Sequence, residues 1–96
     1  MKLCRRIVIE ALRRAATEGR RCPTNDELRM ACHDQGVVLA AHADVAALAR
    51  AGLIRVEVYG RNWRVIEIDG QRTAPPPHGG APYLVVDGNG QRRVGA

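Results

Sequence analysis

The chain has 96 residues, with 15 Lys or Arg against 10 Asp or Glu, for a net charge of +5 at pH 7. Surface-to-volume scaling limits that length to one small core, which excludes a multi-step enzyme built on its own cofactor fold. Lys2 is the only lysine, so the surplus is nearly all guanidinium, a rigid donor fork that suits phosphate oxygens and guanine edges and points to a polyanionic partner.

Over residues 3–16 the apolar side chains Leu3, Ile7, Val8, Ala11, Leu12 and Ala15 recur at three- and four-residue spacing, the stripe of an amphipathic helix that Gly19 ends. Arg6, Glu10 and Arg13 fall on its solvated side. Arg13 and Arg14 interrupt the apolar run, so neither a signal peptide nor a membrane span is expected. Pro23 closes the short connection that follows. Thr24-Asn25-Asp26-Glu27 is then a Thr-x-x-Glu capping box, which starts a second helix with Leu28, Ala31 and Cys32 inward and Asp26, Arg29 and His33 outward. The positive end of that helix can receive a phosphate.

Asp34-Gln35-Gly36 punctuates the chain, and residues 39–51 predict a third, Ala-rich helix with Ala41, Val45 and Leu48 inward. A 100° step per residue then turns Ala40, Ala43, Ala47 and Arg50 outward, flanked by His42 and Asp44. Two β-patterned runs around Gly60-Arg61-Asn62 form a hairpin. With a three-residue loop, Tyr59 faces Trp63, Val56 faces Ile66, Ile54 faces Ile68 and Arg55 faces Glu67. Thr73-Ala74-Pro75-Pro76-Pro77-His78-Gly79-Gly80 reads as an extended linker, which divides the chain into a core of residues 1–70 and a segment of residues 71–96. Within that segment Asp87-Gly88-Asn89-Gly90 signals a second hairpin, too small to stand alone in water and expected to be mobile or docked.

The order helix, turn, helix, wing resembles the bacterial winged helix-turn-helix regulators. The residues that carry the resemblance are Cys22-Pro23-Thr24-Asn25-Asp26-Glu27-Leu28, the run from Val45 through Leu48 to Ala51-Gly52-Leu53-Ile54, and the strand through Arg64-Val65-Ile66; together they cover about residues 3–70. The expected fold is therefore α+β, a three-helix winged helix-turn-helix with a two-stranded wing, followed by a Pro/Gly linker and a small C-terminal hairpin or tail. The resemblance implies a cytoplasmic transcriptional regulator of double-stranded DNA, with contacts from Ala40, His42 and Ala43 on the third helix, Arg61, Asn62 and Arg64 at the wing, and Thr24 and Asn25 beside a phosphate. The third helix departs from the family's polar pattern. Its outward face is nearly free of donors, and Asp44 repels phosphate, so the wing arginines and backbone contacts are expected to dominate. Arg55 is matched by Glu67, which leaves Arg61 and Arg64 less compensated.

Three cysteines, Cys4, Cys22 and Cys32, without a Cys-x-x-Cys pair suggest neither a disulfide framework nor a zinc ribbon, and they fit a reducing compartment. Cys22, Cys32, His33 and His42 match no zinc spacing, and no third group orients a cysteine nucleophile, so no metal, no cofactor and no enzymatic activity are expected. A second reading is an interaction module that keeps the scaffold and uses Val37, Val38 and Leu39 for a homodimer or a protein partner.

Overall fold

The computed structural model describes residues 2–94. Three helices, α1 (Leu3–Thr17), α2 (Asn25–His33) and α3 (Val45–Arg50), precede five strands, β1 (Arg55–Tyr59), β2 (Trp63–Ile68), β3 (Gln71–Arg72), β4 (Leu84–Asp87) and β5 (Gly90–Arg93). The strands form one antiparallel sheet in the order β3-β2-β1-β4-β5. This corrects the expectation of a two-stranded wing with an appended tail. β1 and β2 are the interior of a five-stranded sheet, and the C-terminal hairpin supplies its last two strands.

The physical reason lies in the free edge of β1. A two-stranded ribbon leaves one row of backbone amides and carbonyls unpaired on each side, and the hairpin at residues 84–93 has the same unmet need. Their union pairs Val56 with Val86, Glu57 with Val85 and Val58 with Leu84, and the Tyr83 amide donates to the Val58 carbonyl at 2.9 Å. Val85 and Val86 are buried as a result. The linker is threaded rather than loose. Thr73 donates its amide to Ile66 and accepts from the Ile66 amide through its hydroxyl, the Ala74 amide donates to Arg20, and Trp63 donates Nε1 to the Ala74 carbonyl at 3.0 Å.

Several local readings hold. Thr24 and Glu27 form both halves of the capping box at the start of α2, and Leu28 and Cys32 are buried on its inner side. The first hairpin takes the expected register, with Arg55 opposite Glu67, Val56 opposite Ile66 and Tyr59 opposite Trp63. Arg61 and Asn62 accept positive φ at its tip, 63° and 60°. The charges sort differently from the register. Arg55 lies 3.5 Å from Glu57, while Glu67 is bridged by Arg72.

The third helix is the larger local correction. Only Val45–Arg50 is α-helical, and it is preceded by a single 3-10 turn, Ala41–Ala43. Asp44 separates them because its backbone is extended, with ψ 164°, and its carboxylate accepts from the Ala47 amide at 2.7 Å, so it caps α3 instead of continuing a helix. The break resets the phase. Ala41 is exposed and Ala43 is wholly buried, the reverse of their places on one continuous helix, whereas Val45 and Leu48 point inward as expected.

The core lies between the helices and one face of the sheet. Val8 and Leu12 from α1, Leu28 from α2, Leu48 from α3 and Ile66 from β2 are at its centre, each 2% exposed or less. Burial of such side chains contributes about 1.5–3 kcal/mol apiece. The opposite face of the sheet is closed by a polar arrangement. Glu57 accepts from the Tyr59 hydroxyl and is paired with Arg72, beside buried Val65 and Thr73.

The end of α3 packs against the β4–β5 turn. Gly52 has φ 80°, and its Cα comes so close to Gly88 that a Cβ on Gly88 would stand 3.3 Å from it. Gly52→Ala is expected to lower stability by about 1 kcal/mol through the left-handed backbone, read as a lower urea midpoint with an unchanged slope. An unchanged midpoint would show that the turn yields without cost.

Candidate nucleic-acid interface

A cleft of about 710 Å³ opens where the sheet leaves the cover of α1. Val56 and Val58 from β1 and Leu84 and Val86 from β4 form its floor. Its walls come from the segment that enters α2, from the start of α3 at Asp44, Val45 and Ala46, and from the tip and return strand of the first hairpin. The antiparallel alternation explains the composition. Every second residue of β1 and β4 must face the helices, and α3 is too short to cover them all.

The structure gathers five of the eight residues expected to touch DNA around this cleft: Thr24, Asn25, Arg61, Asn62 and Arg64. The other three are placed elsewhere. Ala43 is buried, the Ala40 amide donates to Cys4 Sγ at 3.3 Å while its methyl packs on the core, and His42 turns Nε2 into the protein without a hydrogen-bond partner. The cause is the break at Asp44. Once the 3-10 turn packs on α1, Ala43 and the Nε2 of His42 face inward rather than toward a ligand while Ala41 stays exposed, and Arg5 holds the turn there through the His42 carbonyl at 3.2 Å.

Arg64 reaches across to the Pro23 carbonyl at 2.7 Å and ties β2 to the entry of α2. A carbonyl neutralises none of its charge. Arg61 is exposed at the hairpin tip, and among the described residues neither arginine has a carboxylate within 4 Å. Most acids are occupied elsewhere: Glu10 and Asp69 by Arg13, Glu18 by Arg20, Asp26 by Arg29, Glu57 and Glu67 by Arg72, and Asp87 by Arg92. Arg61 and Arg64 therefore bring two positive charges without a carboxylate partner to the cleft.

Three further residues belong to this surface and escaped the sequence reading. Arg21 lines the cleft, with its guanidinium 5.8 Å from the Trp63 ring centroid and 3.7 Å from Glu27. Gln91 lines it from β5, and Arg93 stands opposite Leu84 on the same face. The dibasic Arg20-Arg21 before the capping box was a usable signal for the first. Nothing in the sequence indicates that β5 lies beside β1. Burial pushes the Cys22 thiol up from its ordinary value against the pull of Arg64 and Arg21, which favours its protonated form.

No family model, curated protein or solved structure matches the chain. The site must speak through its own chemistry. Among the described residues no helix is long and apolar enough to cross a membrane, and no three His, Cys, Asp or Glu side chains come together as a metal site.

Three carboxylates outside the cleft set an acid limit on the fold. Hydrogen bonds from Arg92 and then the Asn89 amide hold Asp87 down at about 2, and the Thr24 amide holds Glu27 below the usual range. Burial would raise Glu57, but the bonds from Arg72 and Tyr59 outweigh it and its carboxyl is also lowered. Groups depressed in the folded state stabilise it fully above their unfolded values, roughly 4, and lose that contribution as pH falls through the folded ones. The melting temperature should therefore hold from pH 7 to about 5 and fall between roughly 4.5 and 2. Asp87→Asn should flatten that decline; an unchanged acid limb would show that Asp87 contributes nothing to it.

Proposed function

We propose that this protein binds double-stranded DNA through phosphate contacts at the basic mouth of the cleft, as a small regulatory or accessory DNA binder. The observation that supports it most is the meeting of Arg61 and Arg64, both without a carboxylate partner among the described residues, with the first turn of α2 at Thr24 and Asn25. The capping box occupies the amides of Thr24 and Glu27, and the remaining amides of the turn carry the positive end of the helix. Guanidinium groups and helix amides are phosphate ligands that carry little base information. α3 offers little for reading bases, because its outward residues are mainly Ala46, Ala47 and Arg50. Affinity thus comes from counterion release, and sequence preference is weak. Titration of labelled duplexes of unrelated sequence across salt tests this. The expected result is similar affinities with a steep, linear dependence on log salt, and an absence of binding at low salt would overturn it.

A second reading has one observation in its favour. Val38 is 86% exposed, whereas Val37 and Leu39 are half-buried and packed against the core. Only the middle residue of the three is available to a homodimer or a protein partner. Sedimentation of the wild type and Val38→Asp separates the readings: a dimer lost in the variant, with DNA leaving mobility unchanged, favours the interaction module.

A further inference from the structure

The mouth of the cleft suits phosphate, but its interior has a different chemistry. Val58 and Leu84 are only partly covered, so an apolar floor faces open space between polar walls. Asn25, Asn62 and Gln91 line it, and a side-chain amide carries both donors and an acceptor. Among the described residues Asp44 is the sole carboxylate lining it, with one oxygen engaged by the Ala47 amide. Its volume of about 710 Å³ lies within the range of small-molecule sites. A paired duplex cannot use this interior, since its bases are stacked and only their edges are accessible from the grooves.

We infer that the cleft receives an unpaired nucleotide, with the base laid on Val58 and Leu84, its edge bonded to Asn62, Gln91 and Asp44, and its phosphate held by Arg61 and Arg64. This rests on the nucleic-acid reading and narrows the ligand to DNA that carries unpaired residues. Charge complementarity sets the orientation. The anionic phosphate lies at the arginines and away from Asp44, whose carboxylate accepts from an exocyclic amine or ring N–H. An aliphatic floor binds any base face, so selection acts on the unpaired state, while the amides give modest base preference.

The test compares three labelled DNA probes by anisotropy at one low salt concentration: a blunt duplex, the same duplex with a six-nucleotide thymidine tail, and the isolated tail strand. The tailed duplex is expected to bind about tenfold tighter than the blunt one. Gln91→Ala, at an exposed position away from the expected duplex contacts, should erase most of that difference and leave blunt-duplex binding unchanged. Methyl NMR should show Val58 and Leu84 shifting with the tailed probe and not with the blunt one. Equal binding of tailed and blunt duplexes would overturn the nucleotide site and leave the duplex reading standing. Loss of all DNA binding at low salt would overturn both. Larger methyl shifts from a polyglutamate peptide than from the tail strand would assign the cleft to an acidic protein segment instead.

Discussion

Replacing Arg61 and Arg64 together with Ala is expected to weaken DNA binding by on the order of tenfold to a hundredfold at low salt and to reduce the log–log salt slope by about 2. The reason is the way this chain spends its charge. Arg13 spans Glu10 and Asp69, Arg29 answers Asp26 and Arg92 answers Asp87, so these cations meet a phosphate only by giving up an existing partner. Among the described residues Arg61 and Arg64 have no carboxylate to give up, and Arg64 commits only one terminal nitrogen, to the Pro23 carbonyl. Arg13→Ala combined with Arg29→Ala removes the same two charges from paired positions and should leave the slope nearly unchanged, which separates a local site from a general effect of net charge. Arg64 also ties β2 to Pro23, so Arg64→Lys provides a check on folding. If the two double variants shift the slope equally, binding is diffuse and the cleft mouth is not its seat.

A chain ended after residue 70 is expected to lose cooperative folding. The cut removes β3, β4 and β5, reopens the edge of β1 along Val56, Glu57 and Val58, and takes Val85 and Val86 out of the core. It also removes Thr73 and the Ala74 carbonyl, which bond Ile66 and Trp63. Burial of two valines alone contributes about 3–6 kcal/mol, a large part of the roughly 5–15 kcal/mol of a whole domain. Thermal and urea unfolding should show a broad, low transition or none. A sharp transition near that of the full chain would mean that residues 1–70 fold independently and the outer strands are dispensable.

Much of the local structure was legible because its causes are local. The capping box needs only Thr24 and Glu27 three residues apart, and the first hairpin's register follows from a loop of Gly60, Arg61 and Asn62 with matched side chains on either side. The second hairpin was legible on the same grounds, with Asp87 opposite Gly90. The third helix was misread because Asp44 sits within a run of good helix formers. Its capping geometry is decided by whether the preceding turn packs on α1, which a stripe of alanines does not reveal.

The cleft divides the same way. Thr24, Asn25, Arg61, Asn62 and Arg64 were identifiable because they flank local features, a helix start and a hairpin tip. Gln91 and the half-buried floor at Leu84, with Arg93 beside it, were not, since they come to the cleft through strand pairing across some thirty residues. By itself the sequence determined the basic character of the protein, the start of α2 and the geometry of both hairpins, all products of short-range hydrogen bonding and turn chemistry. Only the tertiary structure decided that the second hairpin completes the sheet, that Ala43 and His42 turn inward, and that a lined cleft lies beside the arginines. Strand edges offer backbone groups that every residue carries, so side-chain pattern names a strand but not its neighbour.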